Sequence, residues 1–340
     1  MAILVTGGAG YIGSHMVHAL IDAGERVVVL DNLSTGFPWA VANGASLVVA
    51  NTGDQAKVAA LIAEHGVEAI IHFAASVVVP ESVRDPLAYY RNNTVNSCAL
   101  IEAAVTSGVR HFIFSSTAAV YGNPERVPVR EEDPTLPLSP YGRSKLITES
   151  VLADAGAAHG LHYCILRYFN VAGADPRGRT GQSTKGATHL IKVAVETALG
   201  LRPKIEVYGT DYPTPDGTCI RDYIHIWDLV RAHSAALAYL RAGGASITLN
   251  CGYGRGFSVL EVIETVKRVS SVDFAVEIAG RRAGDPAQIV AAAERARAML
   301  DWQPQFDDLD TIVAHALAWE RKLQASARHR PSSLASADSA

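Results

Sequence analysis

Ala2-Ile3-Leu4-Val5-Thr6-Gly7-Gly8-Ala9-Gly10-Tyr11-Ile12-Gly13 is the stretch on which the fold turns. Its first five residues read as a short buried strand, the glycines as a tight turn, and the run from Tyr11 as the start of a helix. Gly8, Gly10 and Gly13 satisfy GxGxxG, and Gly7, Gly10 and Gly13 satisfy GxxGxxG. Glycines at these spacings permit the turn, let backbone approach a pyrophosphate, and let the helix pack close to its strand. The helix N-terminus adds unpaired N–H groups and partial positive charge, which suit phosphate. The motif alone is weak, and a glycine-rich turn without a ligand is the alternative. Here strand, glycines, helix and a second strand ending in Asp31 follow in order. A carboxylate at that strand end can accept both adenosine ribose hydroxyls and would repel a 2′-phosphate, so NAD is expected rather than NADP. A capping role in the turn that follows, with Asn32 and Ser34, is the alternative for Asp31.

Outward from this unit, apolar runs alternate with helical stretches. Strands are expected at 2–6, 26–30, 47–50, 69–73, 111–115 and 163–167, and helices at 11–23, 54–64, 86–107 and 140–159. Strands apolar on both faces, such as IIHFAA and HFIFSS, require helices on each side of a parallel sheet. After Asn170 the chain becomes rich in Gly, Pro and Thr, with helices expected near 190–199, 258–269 and 309–323. The segment DYIHIWDLVRAHSAALAYL reads as a strand and an amphipathic helix that rejoin the first sheet. The fold class expected is α/β, a Rossmann-type doubly wound parallel sheet with a smaller C-terminal substrate-binding domain. The division runs 1–170 plus about 219–250 for the first domain and about 171–218 plus 251–324 for the second. The low-complexity tail 325–340 is expected to be disordered.

A second constellation carries chemistry. Ser139-Pro140-Tyr141-Gly142-Arg143-Ser144-Lys145 opens a helix, with Ser139 as cap and Pro140 in the first turn. Tyr141 and Lys145 stand four apart and so share a helical face. A nearby ammonium stabilises phenolate, which makes tyrosine a usable base. YxxxK is common on ordinary helices; behind a dinucleotide fingerprint it gains weight. FSSTAAVYG (114–122) ends a strand of the same sheet, where hydroxyls reach the ligand crevice. Thr117 there either contacts a reacting hydroxyl or caps the strand.

Composition narrows the classes. The chain has 340 residues, 49% hydrophobic and 19% charged, with net charge −4, which suits two compact domains and gives no footprint for nucleic acid or anionic membrane. Cys98, Cys164, Cys219 and Cys251 show no CxxC pairing and read as reduced core thiols, and the histidines lack HExxH spacing, so no metal is expected. The N-terminal strand leaves no room for a signal peptide and no apolar run is of membrane-spanning length, so a cytoplasmic protein is expected.

GGAGYIGSH, IHFAA, FSSTAAVYG, SPYGRSK, LRYFNVAGA, YPTPDGTCIRDYIH and RRAGDP resemble, in order, the motifs of the UDP-glucose 4-epimerases. These are NAD-dependent sugar-nucleotide epimerases of the extended short-chain dehydrogenase/reductase class, and the resemblance covers residues 1–323. It implies interconversion of UDP-glucose and UDP-galactose through a 4-keto intermediate. Tyr141 would take the 4-hydroxyl proton, Thr117 would orient that hydroxyl, and Lys145 would hold the nicotinamide ribose. The positions implied for NAD are Gly7, Gly10, Tyr11, Ile12, Gly13, Asp31, Asn32, Asn51, Phe73, Ala74, Asn92, Tyr141, Lys145 and Tyr168. Those implied for the UDP-sugar are Thr117, Asn170, His189, Tyr208, Arg221, Arg282 and Asp285. Arginine forks suit the diphosphate; Asp285 would take the uridine ribose and Tyr208 would flank the uracil. A buried structural pair with Asp222 is the alternative for Arg221, and a helix cap the alternative for His189. The resemblance also implies a homodimer pairing helices 86–107 and 140–159, with core packing as the alternative.

The chain departs from that pattern in places. Asn51 stands where an Asp is frequent near the adenine, Val77 where a Lys is frequent, and His189 where an Asn is frequent. Ile289 occupies the position that gates the sugar 2-substituent and is neither small nor bulky, so it neither admits nor excludes N-acetylated sugars. Ala118 and Ala119 follow Thr117 where dehydratases and decarboxylases need an acid. An epimerase of UDP-N-acetylhexosamines or UDP-pentoses, or a silent NAD-binding regulator, remains as an alternative.

Overall fold

The strand that opens the glycine turn, β1 (Ala2–Thr6), is buried along its length in the interior of a seven-stranded sheet. The computed structural model describes residues 1–184, 186–282 and 284–328. From β1 the chain runs through α1 (Tyr11–Asp22), β2 (Arg26–Asp31), β3 (Ser46–Val49), α2 (Gln55–His65) and β4 (Val67–His72). Next come α3 (Val79–Arg84), α4 (Pro86–Tyr89), a π-helical turn (Tyr90–Val95), α5 (Asn96–Thr106), β5 (His111–Thr117), α6 (Pro140–His159) and β6 (His162–Tyr168).

The remaining elements are β7 (Asn170–Ala172), α7 (Leu190–Ala198), β8 (Ile205–Tyr208), β9 (Ile220–His225), α8 (Ile226–Arg241) and β10 (Ile247–Cys251). They are followed by β11 (Gly256–Ser258), α9 (Val259–Ser270), β12 (Val276–Ala279), β13 (Gln288–Ile289), α10 (Glu294–Leu300) and α11 (Leu309–Arg328).

The main sheet has the order β10-β6-β5-β4-β1-β2-β3, all parallel. The order reverses between β1 and β4, which opens a crevice beyond their carboxyl ends. Strand alternation divides the core into two layers. Ile3, Val5, Val27, Val29, Ile113, Cys164 and Leu166 face one layer. Leu4, Val28, Leu30, Phe112, Phe114 and Ile165 face the other, with Leu61, Leu100 and Leu152 from α2, α5 and α6. α1 and α8 pack together in the first layer. Phe112 and Phe114, both on the second face, each contribute about 1.5–3 kcal/mol of transfer free energy.

Four expectations change. The strand of DYIHIWDL does not rejoin the main sheet: β9 pairs with β7, β11 and β13 in a four-stranded sheet, while α8 and β10 return to the main one. The helix expected at 86–107 is interrupted by the π turn. There the Ser97 and Thr148 hydroxyls donate to the Asn93 carbonyl at 2.6 and 3.1 Å. α11 runs on to Arg328, so the expected tail is helical at its start, and 329–340 lies outside the described residues. Cys164, Cys219 and Cys251 are buried free thiols, but Cys98 is exposed, because its face of α5 turns outward rather than into the core.

Candidate active site

At the end of β1 the backbone of Gly7 adopts φ +70°, and a Cβ there would stand 2.7 Å from the Ala74 amide at the end of β4. A Cβ on Gly13 would stand 2.1 Å from the Gly7 carbonyl oxygen. Only glycine closes the turn this tightly, which brings the switch point directly against the start of α1. No side chain caps α1 at Gly10. The amides of Tyr11, Ile12 and Gly13 therefore head a bare helix terminus, while the Tyr11 hydroxyl donates to the Gly173 carbonyl at 2.7 Å and turns away from it. Asp31 is buried and its two oxygens accept from Ala9 N at 2.9 Å and Leu33 N at 2.8 Å. The carboxylate thus locks the glycine turn to the end of β2, and each oxygen keeps a lone pair for a further donor. Asn32 and Asn51 are exposed, their side chains accepting from Ser34 N at 3.0 Å and Gly53 N at 2.8 Å. A tight glycine cradle, a bare helix terminus and an acid at the next strand end fit a dinucleotide.

The far wall of the crevice comes from β4, β5 and the π turn. Phe73 lies 4.8 Å from the His233 ring, and Tyr168 at the end of β6 lies 6.3 Å from it on another side. His233 bonds Ser115 Oγ at 3.0 Å through Nε2 and the Leu229 carbonyl at 2.9 Å through Nδ1; burial pushes its pKa down to about 4. Asn92 donates to Ser76 Oγ at 3.0 Å. Asn93, which the sequence did not single out, accepts from Ser76 N at 2.8 Å and donates to Ser144 Oγ at 3.1 Å. It therefore ties the loop after β4 to the helix that carries Tyr141. The π turn aims it there, and no linear spacing announces a π turn. Val77 is exposed on the rim.

α6 begins as its sequence predicts: Gly142 N donates to Ser139 Oγ at 3.2 Å and Pro140 fills the first turn. The buried face of α6 carries Tyr141, Lys145 and Glu149 at successive turns. Burial raises the Tyr141 pKa, and a hydrogen bond with the Thr117 side chain works against that. Thr117 Oγ1 also accepts from Ala119 N at 3.1 Å, so the capping alternative and contact with Tyr141 hold together. Lys145 Nζ donates to the Ser115 carbonyl at 2.8 Å and lies 4.8 Å above the Phe114 ring. Burial drives its pKa down to about 7, with Glu149 opposing the fall. Behind it, His72 is held between Thr6 Oγ1 at 2.6 Å and Ser97 Oγ at 2.7 Å, and burial, with Lys145 adding to it, takes its pKa down to about 3. A neutral His72 leaves Lys145 as the cation on the Tyr141 face of α6.

The small sheet supplies the opposite side. Arg221 on β9 does not pair with Asp222: strand alternation sends the two to opposite faces. The Asp222 carboxylate accepts from Tyr253 N at 3.0 Å, Gly254 N at 3.0 Å and Ala291 N at 3.2 Å, and burial raises its pKa to about 6. Arg221 instead stands 3.9 Å from Asp285. Arg282 lies over the Tyr208 ring, 3.6 Å from its centroid. Asn170 and His189 line one cavity with Gln182, Lys192 and Tyr223. His189 precedes α7 without capping it, and Gln182 bonds its Nδ1 at 2.6 Å. Ile289 pairs in register with Arg221 and packs with Ala118, Val120, Tyr121 and Phe169 just beyond Thr117. The structure thus brings Tyr141 and Thr117 together on the α6 side, pairs Arg221 with Asp285 and Arg282 with Tyr208, and sets Asn170 and His189 in one cavity.

A Rossmann sheet with this switch point and a Tyr–Lys face beside it defines the class. The family described as the "NAD dependent epimerase/dehydratase family" matches residues 3–252, and the chain belongs to it. Among curated relatives, the UDP-glucose 4-epimerase of Azospirillum brasilense is 57% identical over 95% of this chain and 93% of its own. A solved UDP-glucose 4-epimerase from Brucella ovis in complex with NAD is 44% identical, with TM-score 0.91 over 93% of this chain and 97% of that one. The UDP-Glc/GlcNAc 4-epimerase of Campylobacter jejuni is 49% identical, with TM-score 0.83 over 94% of this chain and 99% of that one.

Proposed function

We propose that this protein is an NAD-dependent UDP-glucose 4-epimerase, interconverting UDP-glucose and UDP-galactose. The observation that carries the reading is the buried face of α6, where Tyr141 and Lys145 lie beside Thr117 at the rim of the switch point. The similarity to curated UDP-glucose 4-epimerases over nearly the whole chain supports the same activity.

The amides of the Gly7–Gly13 turn and the Asp31 carboxylate would hold the pyrophosphate and adenosine ribose of NAD. Asn32, Asn51, Phe73, Ala74, Asn92 and Tyr168 would line the rest of its site. Bound there, NAD supplies a reversible acceptor for the hydride of sugar C4. Tyr141, as phenolate, takes the proton from the 4-hydroxyl as the C4–H bond breaks, and Thr117 fixes that oxygen within reach. Lys145 supports the phenolate by charge, which offsets the burial that otherwise keeps the phenol protonated. The 4-keto sugar turns over and receives hydride on its other face, and Tyr141 returns the proton to the 4-oxygen. No redox equivalent is gained or lost, so the cofactor has no reason to leave. Arg221 and Arg282 would grip the diphosphate and Asp285 the uridine ribose, with Tyr208 beside the uracil. Asn170 and His189 would complete the wall.

Residues 1–170 with α8 and β10 would form the NAD-binding part, and the remainder the UDP-sugar part. Val83, Leu87, Val95 and Ile147 expose apolar surface on α3–α6, which supports a homodimer through that face. The free thiols support a reducing, cytoplasmic location, and no helix among the described residues is long and apolar enough to cross a membrane. Denatured protein is expected to release stoichiometric NAD, and native protein to convert UDP-galactose to UDP-glucose. Protein that binds NAD but converts neither sugar would overturn the assignment.

A further inference from the structure

Glu149 is buried on the same face of α6 as Tyr141 and Lys145, one turn beyond the lysine. Its carboxylate accepts from Arg167 Nε at 3.0 and 3.2 Å and from Nη2 at 2.6 Å, and from the Ser116 hydroxyl. Arg167 stands on β6, registered against Ser116 of β5. Lys145 holds the carbonyl of Ser115 and Glu149 holds the side chain of Ser116, so consecutive strand residues are gripped by consecutive turns of one helix face. The next strand residue is Thr117. Arg167 extends the network through Tyr121 Oη at 3.0 Å, which donates to Asn250 at 2.7 Å. Tyr121 belongs to the cluster that contains Ile289.

We propose that Glu149 is a positioning residue for the epimerisation: pinned by Arg167 and Ser116, it fixes the face of α6 that carries Lys145 and Tyr141 against the end of β5 at Thr117. This deepens the epimerase reading and rests on it. A salt bridge serving stability alone would not need the lysine. The groups facing Lys145 make the distinction. From β4 comes His72, which is neutral; from β5 come the Ser115 carbonyl and the Phe114 ring; from α6 itself come Tyr141 and Glu149. Glu149 is thus the carboxylate on this face that opposes the desolvation of Lys145. The dehydrated ammonium and the tyrosine it serves both depend on that charge, and the ion pair with Arg167 stops the carboxylate from swinging to meet the lysine directly.

The sign of the effect follows. Without the carboxylate, Lys145 loses its proton at lower pH, the phenolate loses its neighbouring cation, and Tyr141 keeps its proton to higher pH. Glu149→Gln is therefore expected to lower kcat at pH 7 about tenfold and to move the acid limb of the kcat profile up by about one pH unit. KM is expected to stay within about twofold, since Glu149 is buried and its carboxylate is taken up by Arg167 and Ser116. Glu149→Asp keeps the charge and loses reach, so its acid limb should return towards wild type while kcat stays reduced. Glu149→Gln combined with Arg167→Met removes the ion pair together and leaves no unpaired guanidinium; it should shift the limb in the same direction even if the single variant does not fold.

The experiment measures kcat, KM and their pH dependence for wild type and the three variants with UDP-galactose, alongside NAD content and circular dichroism. Folded, NAD-loaded Glu149→Gln or double variant with wild-type kcat and limb overturns the proposal, as does a Glu149→Asp limb displaced as far as that of Glu149→Gln. Wild type that fails to epimerise overturns the assigned reaction instead, and the positioning role falls with it.

Discussion

Replacing Tyr141 by phenylalanine removes one oxygen and nothing else from the buried face of α6. The structural consequence is small. Thr117 loses its contact with the phenol but still accepts the Ala119 amide at 3.1 Å, and the Ser139 cap of the helix is untouched. Loss of one neutral hydrogen bond costs about 0.5–1.5 kcal/mol of stability, less than a typical folded domain can spare. The chemical consequence is large, because no other base stands in that place: His72 is held neutral behind Lys145, and Lys145 is tied to the Ser115 carbonyl. A positioned acid–base group contributes about 10²–10⁴-fold to rate, equivalent to about 2.7–5.4 kcal/mol of barrier. The variant should therefore retain NAD and bind UDP-hexose as wild type does, and turn over at least about a hundredfold more slowly. Coupled-enzyme assay of UDP-glucose formation measures the rate, and calorimetry with UDP measures the site. A folded, NAD-loaded variant within a factor of a few of wild-type rate would refute Tyr141 as the base, whatever the fold.

Three further outcomes test other parts of the site. Lys145→Ala should depress kcat and displace its acid limb to higher pH, since a phenol without a neighbouring ammonium ionises later; an unmoved limb would remove the lysine from the chemistry. Asp31→Ala should weaken binding of NAD more than of NADP, as measured by titration of stripped protein, because the lost carboxylate both accepts the ribose hydroxyls and repels a 2′-phosphate; equal losses would reduce Asp31 to its bonds with Ala9 and Leu33. Arg221→Ala should weaken UDP and UDP-sugar binding together, by about 1.5–3 kcal/mol for a charge-assisted contact. Unchanged UDP affinity would leave Arg221 as a partner of Asp285 alone.

The parts of this molecule legible in its sequence are those encoded at short, fixed spacing. A strand, four glycines and a helix occupy one local unit, and sterics at Gly7 and Gly13 permit little else. Tyr141 and Lys145 face the same way because a helix turns every 3.6 residues, and Ser139-Pro140 fixes where that helix starts. Glu149, the next turn of the same face, and Arg167, a charge inside an apolar strand, were not singled out, because spacing could not say that they meet.

Tertiary structure alone decided such meetings. β9 reads as a strand wherever it lies; pairing with β7 and β13 puts it in the small sheet, and the alternation that follows sends Asp222 inward and Arg221 toward Asp285. The π turn that aims Asn93 at Ser76 and Ser144 looks, in sequence, like one more stretch of helix. Ile289 was named in the sequence only by resemblance; register sets it beside Arg221 and packing sets it against the turn after Thr117. Local periodicity is a property of a few consecutive residues and survives without the rest of the chain. Register, partner strand and buried ion pair are chosen by competition over the whole core, so they appear only when the chain has folded.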